Sequence, residues 1–445
     1  MPTKIIVLDD DPTGSQTVHG CLLLTRWDVG TLREALADAS PLFFVLTNTR
    51  GMDAARTASV TREVCRGLKA AQAAEVAAGR PVNPLLVSRS DSTLRGHYPV
   101  ETDVIAEELG PFDAHFLVPA FFEGGRITRG STHYLLIDGR PVPVHETEFA
   151  RDSVFGYRHS FLPDYVEEKT QGRVRAADVQ RFLLADVRGD SRARLAALAD
   201  NVCCVVDAET QADLDHFADQ LRAVAGEGRR FLFRSGASLL TALARLPPQP
   251  VPAEAMRQHV RNGRAGAVVV GSHVNKTTQQ LERLLALPGT APIEIDVDRI
   301  APQRAALLAE VLARCELAHA AGKAPVVYTS RVERRLPDQA TRLAFGAAVS
   351  AFLMDVVRGL PATLGFLISK GGITSNDVLS DGLALRASRV LGQILPGCSV
   401  VRCPEDHPRF PRLPVVIFPG NVGDEHALAR AYRRLAGTEA GTPTP

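Results

Sequence analysis

Short runs of β-branched and aromatic residues alternate along the chain with longer stretches in which Ala, Leu and Arg recur at helical period. The runs predict strands over residues 5–8, 43–47, 85–88, 115–118, 202–206 and 231–234. A second series follows at 267–271, 293–297, 326–329, 365–369, 399–402 and 415–418. Most are apolar throughout rather than alternating, as expected where helices cover both faces of a parallel sheet. Helical periods fill the gaps, for example over 57–78, 191–199, 212–225, 276–286, 304–321 and 339–358. Strand–helix alternation in both halves predicts an α/β protein with parallel or mixed sheets.

The stretch Leu246-Pro-Pro-Gln-Pro-Val-Pro252 can continue neither a helix nor a central strand, so it reads as a linker. It predicts two α/β domains, residues 1–246 and 255–437. Residues 124–165 break the rhythm of the first domain. They are rich in Arg, His and acids, carry a hairpin signal at Asp138-Gly139, and read as an insertion over one edge of the first sheet.

Composition narrows the partners. Of 445 residues, 45% are hydrophobic and 23% charged, enough apolar material for two sizeable cores. The formal net charge is +1, which gives no global field toward nucleic acid or an anionic membrane. No apolar run approaches the ~18 residues of a membrane span, and residues 1–11 lack the pattern of a signal peptide. The cysteine count is seven, Cys203 and Cys204 are adjacent, and no Cys-x-x-Cys occurs. Reduced thiols and a cytoplasmic location are therefore expected, without a structural zinc site.

In open α/β sheets, ligands bind beyond the carboxyl ends of the strands. In the first half those ends read Asp9-Asp10-Asp11-Pro-Thr13-Gly14, Thr47-Asn48-Thr49-Arg50, Ser88-Arg89-Ser90-Asp91-Ser92-Thr93-Leu-Arg95-Gly96 and Pro119-Ala-Phe-Phe-Glu123-Gly124-Gly125-Arg126. Guanidiniums suit a carboxylate, and Asp, Asn and Ser suit hydroxyls, so this rim fits a small polyhydroxylated anion. The second half differs: Gly271-Ser272-His273, Ser369-Lys370-Gly371-Gly372-Ile-Thr374-Ser375 and Pro419-Gly420-Asn421-Val-Gly423-Asp424 follow its strands. Glycines beside Ser and Thr at helix starts let backbone N–H groups approach a phosphate. Each feature also has a plainer reading. The acids and Ser90–Thr93 would cap helices, Gly371-Gly372 would be a turn, and Lys370 a solvated strand end. The segment Gly271 to Thr277 lacks the glycine before Lys276 and is one residue short of a P-loop. His115, His133, His145 and His273 show no metal-ligand spacing.

Taken in order, the motifs resemble the four-carbon acid sugar kinases. The resemblance rests on Asp10-Asp11-x-Thr13-Gly14, Asp91-Ser-Thr-Leu-Arg95-Gly96, Pro119-Ala-Phe with Gly125-Arg126, and Glu146-Thr-Glu-Phe-Ala-Arg151-Asp152. It continues through Gly271-Ser272, Gly371-Gly372-x-Thr374-Ser375 and Gly420-Asn421-x-Gly423-Asp424, and so spans nearly the whole chain. It implies an acid-sugar-binding first domain and a nucleotide-binding second domain that uses Mg-ATP. Asp10, Thr13, Ser90, Asp91, Arg95, Gly96 and Arg126 would then hold the sugar acid. Ser272, Gly371, Gly372, Thr374, Ser375, Gly420, Asn421 and Gly423 would hold ATP; no side chain is assigned to the metal. Phe418-Pro419 stands where the family commonly has Lys-Ser, Ile373 where it has an acid, and Ser15-Gln16-Thr17 extends the first motif. These departures imply a distinct branch, acting on a tetronate, a 3-oxo-tetronate or a related branched or five-carbon acid.

The expected activity is transfer of the γ-phosphoryl of ATP to a terminal hydroxyl of such an acid, in a cleft between the two domains, in carbohydrate catabolism. Positioning and charge neutralisation carry most of that chemistry, with a carboxylate taking the hydroxyl proton late. Asp10 or Asp11 is the expected base, Asp91 the second choice. Arg95 is expected on the substrate carboxylate, helped by Arg126. The alternative is a non-catalytic sensor of sugar acid and nucleotide, against which the acid triplet argues. An NAD-dependent dehydrogenase is excluded, because no Gly-x-Gly-x-x-Gly follows the first strand. The helical stretch 339–358 serves equally as a homodimer face or as core packing.

Overall fold

The computed structural model describes residues 1–272, 274–331, 339–420 and 422–438, so His273 and Asn421 lie outside the described residues. The chain divides into two compact units, Met1–Pro248 and Gln249–Pro445. Both are α/β, as the alternation of strand and helix signals predicts.

In the first unit the strands are β1 (Thr3–Asp9), β2 (Leu22–Leu24), β3 (Leu42–Leu46), β4 (Asn83–Arg89) and β5 (Ala114–Val118), then β6 (Arg126–Arg129), β7 (Thr132–Ile137), β8 (Arg140–Pro143), β9 (Gln180–Phe182), β10 (Val202–Val206) and β11 (Phe231–Ser235). Eight of them form a parallel sheet in the order β2-β3-β1-β4-β11-β5-β10-β9. Strands β3 and β5 are buried at every residue, which is why they read as unbroken apolar runs. Flanking helices start on side-chain caps: Asp28 accepts from the Thr31 N–H before Val29–Ala37, and Asp53 from the Arg56 N–H before Ala54–Ala77. Strand β1 lies between β3 and β4, so the chain leaves it in one direction and later returns on the other side. That reversal opens a crevice at the carboxyl end of β1, where Asp9, Asp10 and Asp11 stand.

The insertion forms a three-stranded antiparallel sheet, β6-β7-β8, with Asp138 and Gly139 both at positive φ in the turn that the sequence signals. It does more than cover an edge. The Tyr157 hydroxyl donates to the Thr93 carbonyl, the Tyr165 hydroxyl to that of Leu94, and the His133 Nε2 meets that of Ser92. The insertion thus braces the loop after β4, and it shares an apolar core with Leu117, Cys203 and Val205 of the parallel sheet.

The second unit contains β12 (Ala267–Val270), β13 (Thr290–Ile295), β14 (Ala324–Thr329), β15 (Leu367–Lys370), β16 (Ala387–Leu395), β17 (Cys398–Arg402) and β18 (Pro414–Phe418). Strands β13-β14-β12-β15-β18 are parallel in that order, and β17 and β16 continue antiparallel. Here β12 sits between β14 and β15, so the reversal falls at Gly271-Ser272. Strand β16 was not among the sequence expectations. Its residues alternate between buried and half-buried, so it lacks the unbroken apolar run that marks the central strands. All seven cysteines are free and buried, and among the described residues no helix is long and apolar enough to cross a membrane.

Candidate functional site

At the end of β1 the three acids take three different environments. Asp9 is fully buried, and neither carboxylate oxygen has a hydrogen-bond partner. Burial drives its pKa well above the usual carboxylate value, against the pull of the neighbouring Arg89. A Cβ on Gly14 would lie 2.0 Å from the Asp9 Oδ1, so the turn passes over this carboxyl only because residue 14 has no side chain. Asp10 is also buried, but Arg50 donates to both of its oxygens, at 2.5 and 3.2 Å. Burial, with Glu101 nearby, raises the Asp10 pKa despite that pair. Asp11 is a fifth exposed; it accepts from the Thr13 N–H at 2.9 Å and the Thr13 hydroxyl at 2.5 Å, with Arg50 3.4 Å away. Burial disfavours the charge on Arg50, but Asp10, Asp11 and Asp91 around it hold its pKa well above the ordinary value.

The loop after β4 supplies the next side chains. Arg95 donates from Nε to Asp91 at 2.8 Å, reaches Asp152 with a terminal nitrogen at 3.6 Å, and its guanidinium lies over the Phe149 ring. Burial would raise the Asp91 carboxyl. Arg50 and Arg95, with hydrogen bonds from Arg95 and Thr93, overcome this and hold it far below the usual range. Gly96, at φ +120°, lets the loop lie against Arg234 and Asp10; a Cβ there would come within 2.8 and 3.1 Å of them. Arg234, buried in β11, pairs with Glu101 and donates to the Ser88 hydroxyl at 2.6 Å. Arg126 is different. It donates to the Gly124 carbonyl and packs over Phe121, yet among the described residues its buried Nε has no partner and no acid lies within ion-pair distance. Burial lowers its pKa; Asp91 partly opposes this, and Arg95 adds to it. Ser90, Asp91, Arg95, Tyr165, Arg234 and Ser235 line a pocket at this place.

In the second unit the strand ends converge on one another. Ser272 Oγ lies 3.1 Å from Thr277 Oγ1, and that hydroxyl donates to the Gly420 carbonyl at 2.9 Å. The Gly371 N–H donates to the Phe418 carbonyl, and Gly371 adopts φ +122°, a conformation that favours glycine. A Cβ on Gly271 would stand 2.3 Å from Thr374 Oγ1, so the first and second glycine turns touch there. The glycine turns of the second unit thus meet around the Ser272, Thr277 and Thr374 hydroxyls.

The sequence-derived candidates of the first unit, Asp10, Asp11, Thr13, Ser90, Asp91, Arg95, Gly96 and Arg126, gather around the β1 and β4 ends. In the second unit Ser272, Gly371, Gly372, Thr374 and Gly420 gather likewise, and Asn421 lies outside the described residues. Ser375 is buried with its hydroxyl engaged by Ser369, and Gly423 packs against Ala427. One expectation fails outright: Lys370 is not a solvated strand end but is fully buried. Sequence reasoning also left Arg50, Glu101 and Arg234 unassigned. Arg50 was visible as the charge closing Thr47-Asn48-Thr49-Arg50, whereas nothing local marks Glu101, inside a helix, or Arg234, inside an apolar strand.

The chain matches two family models, a sugar-binding N-terminal domain over residues 5–243 and a nucleotide-binding C-terminal domain over 267–428. The chain belongs to the four-carbon acid sugar kinase family. Among its relatives, the D-erythronate kinase of Heliobacterium modesticaldum is 29% identical over 312 residues, covering 66% of this chain and 63% of that protein, less than two thirds of its length. The D-threonate kinase of Bordetella bronchiseptica is 26% identical over 445 residues, covering 96% of each. A crystal structure from Salmonella typhimurium LT2 superposes with a TM-score of 0.69 at 19% identity, covering 98% of this chain and 100% of the other, and shares its fold. The acid and arginine loops thus belong to the sugar-binding domain of the family and the glycine turns to its nucleotide-binding domain.

Proposed function

We propose that this family member is an ATP-dependent kinase that phosphorylates a terminal hydroxyl of a short sugar acid. The observation that carries the reading is Arg126. Arg50 is already paired with Asp10, Arg95 with Asp91 and Arg234 with Glu101, and Arg89, whose buried Nε also lacks a hydrogen-bond partner, has the Asp9 and Asp10 carboxyls beside it. Arg126 has a buried Nε without a partner, so a substrate carboxylate is the group that would complete it. Arg95 then acts by fixing Asp91, whose strongly ionised carboxylate accepts hydrogen bonds from substrate hydroxyls. This reverses the order expected from sequence, in which Arg95 came first and Arg126 second.

In the reaction, the bond from the γ-phosphorus to the bridging oxygen of ATP breaks and a new one forms to the substrate hydroxyl oxygen. The hydroxyl proton goes to a carboxylate and ADP leaves. Asp10 suits that role among the acids, because burial raises its proton affinity while Asp91 is held ionised. Asp11 orders Thr13 and helps fix Arg50. ATP would lie on the turns at Ser272, Gly371, Gly372 and Gly420, which the missing side chains of Gly271 and Gly371 allow to pack closely against Thr374 and Ser272. Mg²⁺ would arrive with the nucleotide and supply neutralisation of its phosphate charge.

The names of the two curated relatives support tetronates as the first substrates to try. The experiment is an ADP-release screen over D- and L-threonate, D- and L-erythronate, their 3-oxo forms, and branched and five-carbon acids. Release stimulated by at least one acid is expected. Tight binding of an acid without any ADP release would favour a sensor instead.

A further inference from the structure

Lys370 closes β15, and its side chain is fully buried. Its ammonium nitrogen donates to the Pro419 carbonyl and, at 3.0 Å, to the Gly420 carbonyl, and lies 4.3 Å from the centre of the Phe418 ring. Among the described residues no carboxylate stands within ion-pair distance of it. Burying an ammonium away from acids is costly, so its retention calls for a reason. We propose that Lys370 is the positioning residue of the last glycine turn, holding the Pro419 and Gly420 carbonyls inward so that the Gly420 N–H faces a phosphate oxygen of the nucleotide. This rests on the nucleotide reading of the second unit.

The geometry follows from the peptide bond. The Pro419–Gly420 bond is not among the cis peptides of the chain, so its C=O and N–H point in opposite directions. Drawing the Pro419 oxygen toward Lys370 therefore turns the Gly420 N–H away from it. That N–H has no partner among the described residues. Thr277 fastens the same turn from another side, through the Gly420 carbonyl, and its hydroxyl neighbours that of Ser272. A Cβ on Gly420 would stand 3.3 Å from Ser272 Oγ, so the turn itself lies beside the hydroxyl already assigned to the nucleotide.

The charge state of Lys370 adds a pH signature. Burial lowers its pKa to about 7; Lys276, on the neighbouring helix Asn275–Leu285, pushes the same way. Cys398 of β17 also faces it, but burial lifts that thiol to about 12, so it is uncharged near neutrality. A protonated ammonium holds carbonyls more strongly than an amine. Nucleotide affinity should then decline as pH rises through 7 and the charge is lost.

The test is calorimetric titration of the full-length protein with ADP and with the sugar acid, from pH 6 to 9, for wild type, Lys370→Met and Lys370→Arg. Comparison between variants cancels the titration of the nucleotide itself. Lys370→Met should weaken ADP binding roughly tenfold at pH 6.5 and abolish its pH slope, with sugar-acid affinity unchanged. Lys370→Arg, charged at every pH tested, should bind ADP without the decline. Wild-type affinity and slope in Lys370→Met would overturn the proposal; should that variant not fold, a wild-type decline in Lys370→Arg would overturn it equally. A wild-type protein that binds no nucleotide at any pH would remove the nucleotide reading and this proposal together. Normal ADP binding unaffected by either substitution would remove the proposal alone.

Discussion

Arg50 holds both carboxylate oxygens of Asp10, reaching from the turn after β3 to the end of β1. The backbone of the same turn is tied to β1 as well, the Arg50 N–H donating to the Asp10 carbonyl and the Thr47 N–H to that of Asp9. The pair therefore fixes two neighbouring strand ends and keeps one carboxylate aimed while it is buried. Removing either partner leaves the other charge stranded.

Asp10→Asn is accordingly expected to lower kcat by about 10²–10⁴-fold, the range for losing a general base, with ADP affinity unchanged. Arg50→Met should destabilise the first unit by about 3 kcal/mol, because Asp10 stays buried without its guanidinium. Steady-state kinetics, ADP titration and chemical unfolding read these effects. A fully active Asp10→Asn enzyme would remove Asp10 from the reaction.

Arg126 and Arg95 should separate by ligand. Arg126→Gln is expected to weaken sugar-acid binding by about 10–100-fold, the loss of one charge-assisted bidentate contact. Binding of the corresponding neutral polyol should be unaffected. Arg95→Gln, which frees Asp91, should weaken acid and polyol alike. Equal effects of Arg126→Gln on both ligands would argue against its role as the carboxylate anchor.

Two glycines test the close approaches. Gly14→Ala would drive a methyl into the Asp9 carboxyl and should cost about 1–3 kcal/mol of stability. Gly271→Ala would collide with the Thr374 hydroxyl and should impair ADP binding, with partial recovery in the double variant Gly271→Ala/Thr374→Gly. Failure of the double variant to recover any binding would count against that contact as the cause.

The acid side of the stability profile should report on His133. It is fully buried between Thr128 and the Ser92 carbonyl, and burial lowers its pKa to about 4. The unfolded imidazole titrates near ~6.5, so between pH 6.5 and 4 the unfolded chain binds the extra proton. The His133 contribution is complete above pH 6.5 and falls by roughly 3 kcal/mol toward pH 4. Thermal midpoints across that window should decline in wild type and lose this part of the slope in His133→Asn. An identical slope in both would place the acid sensitivity elsewhere.

Much of this was legible in the sequence for physical reasons. Central strands such as β3 are apolar on both faces and announce themselves, and the reversals at β1 and β12 make their carboxyl ends the places to look. Strand β16 was hidden because its alternating burial resembles a loop with scattered apolar residues. Lys370 was misread because its burial depends on carbonyls 49 and 50 residues away. Arg234 and Glu101 meet across 133 residues, a pairing that only the register of β11 against β4 and β5 creates. The order of preference between Arg95 and Arg126 likewise depended on which guanidinium other acids had already occupied.

The most direct measurement is ³¹P NMR of the protein with Mg-ATP and the acid that most stimulates ADP release. The account predicts a phosphate monoester coupled to CH₂ protons of the acid, appearing in step with ADP. A resonance from inorganic phosphate alone, or no turnover with any acid of the series, would contradict it.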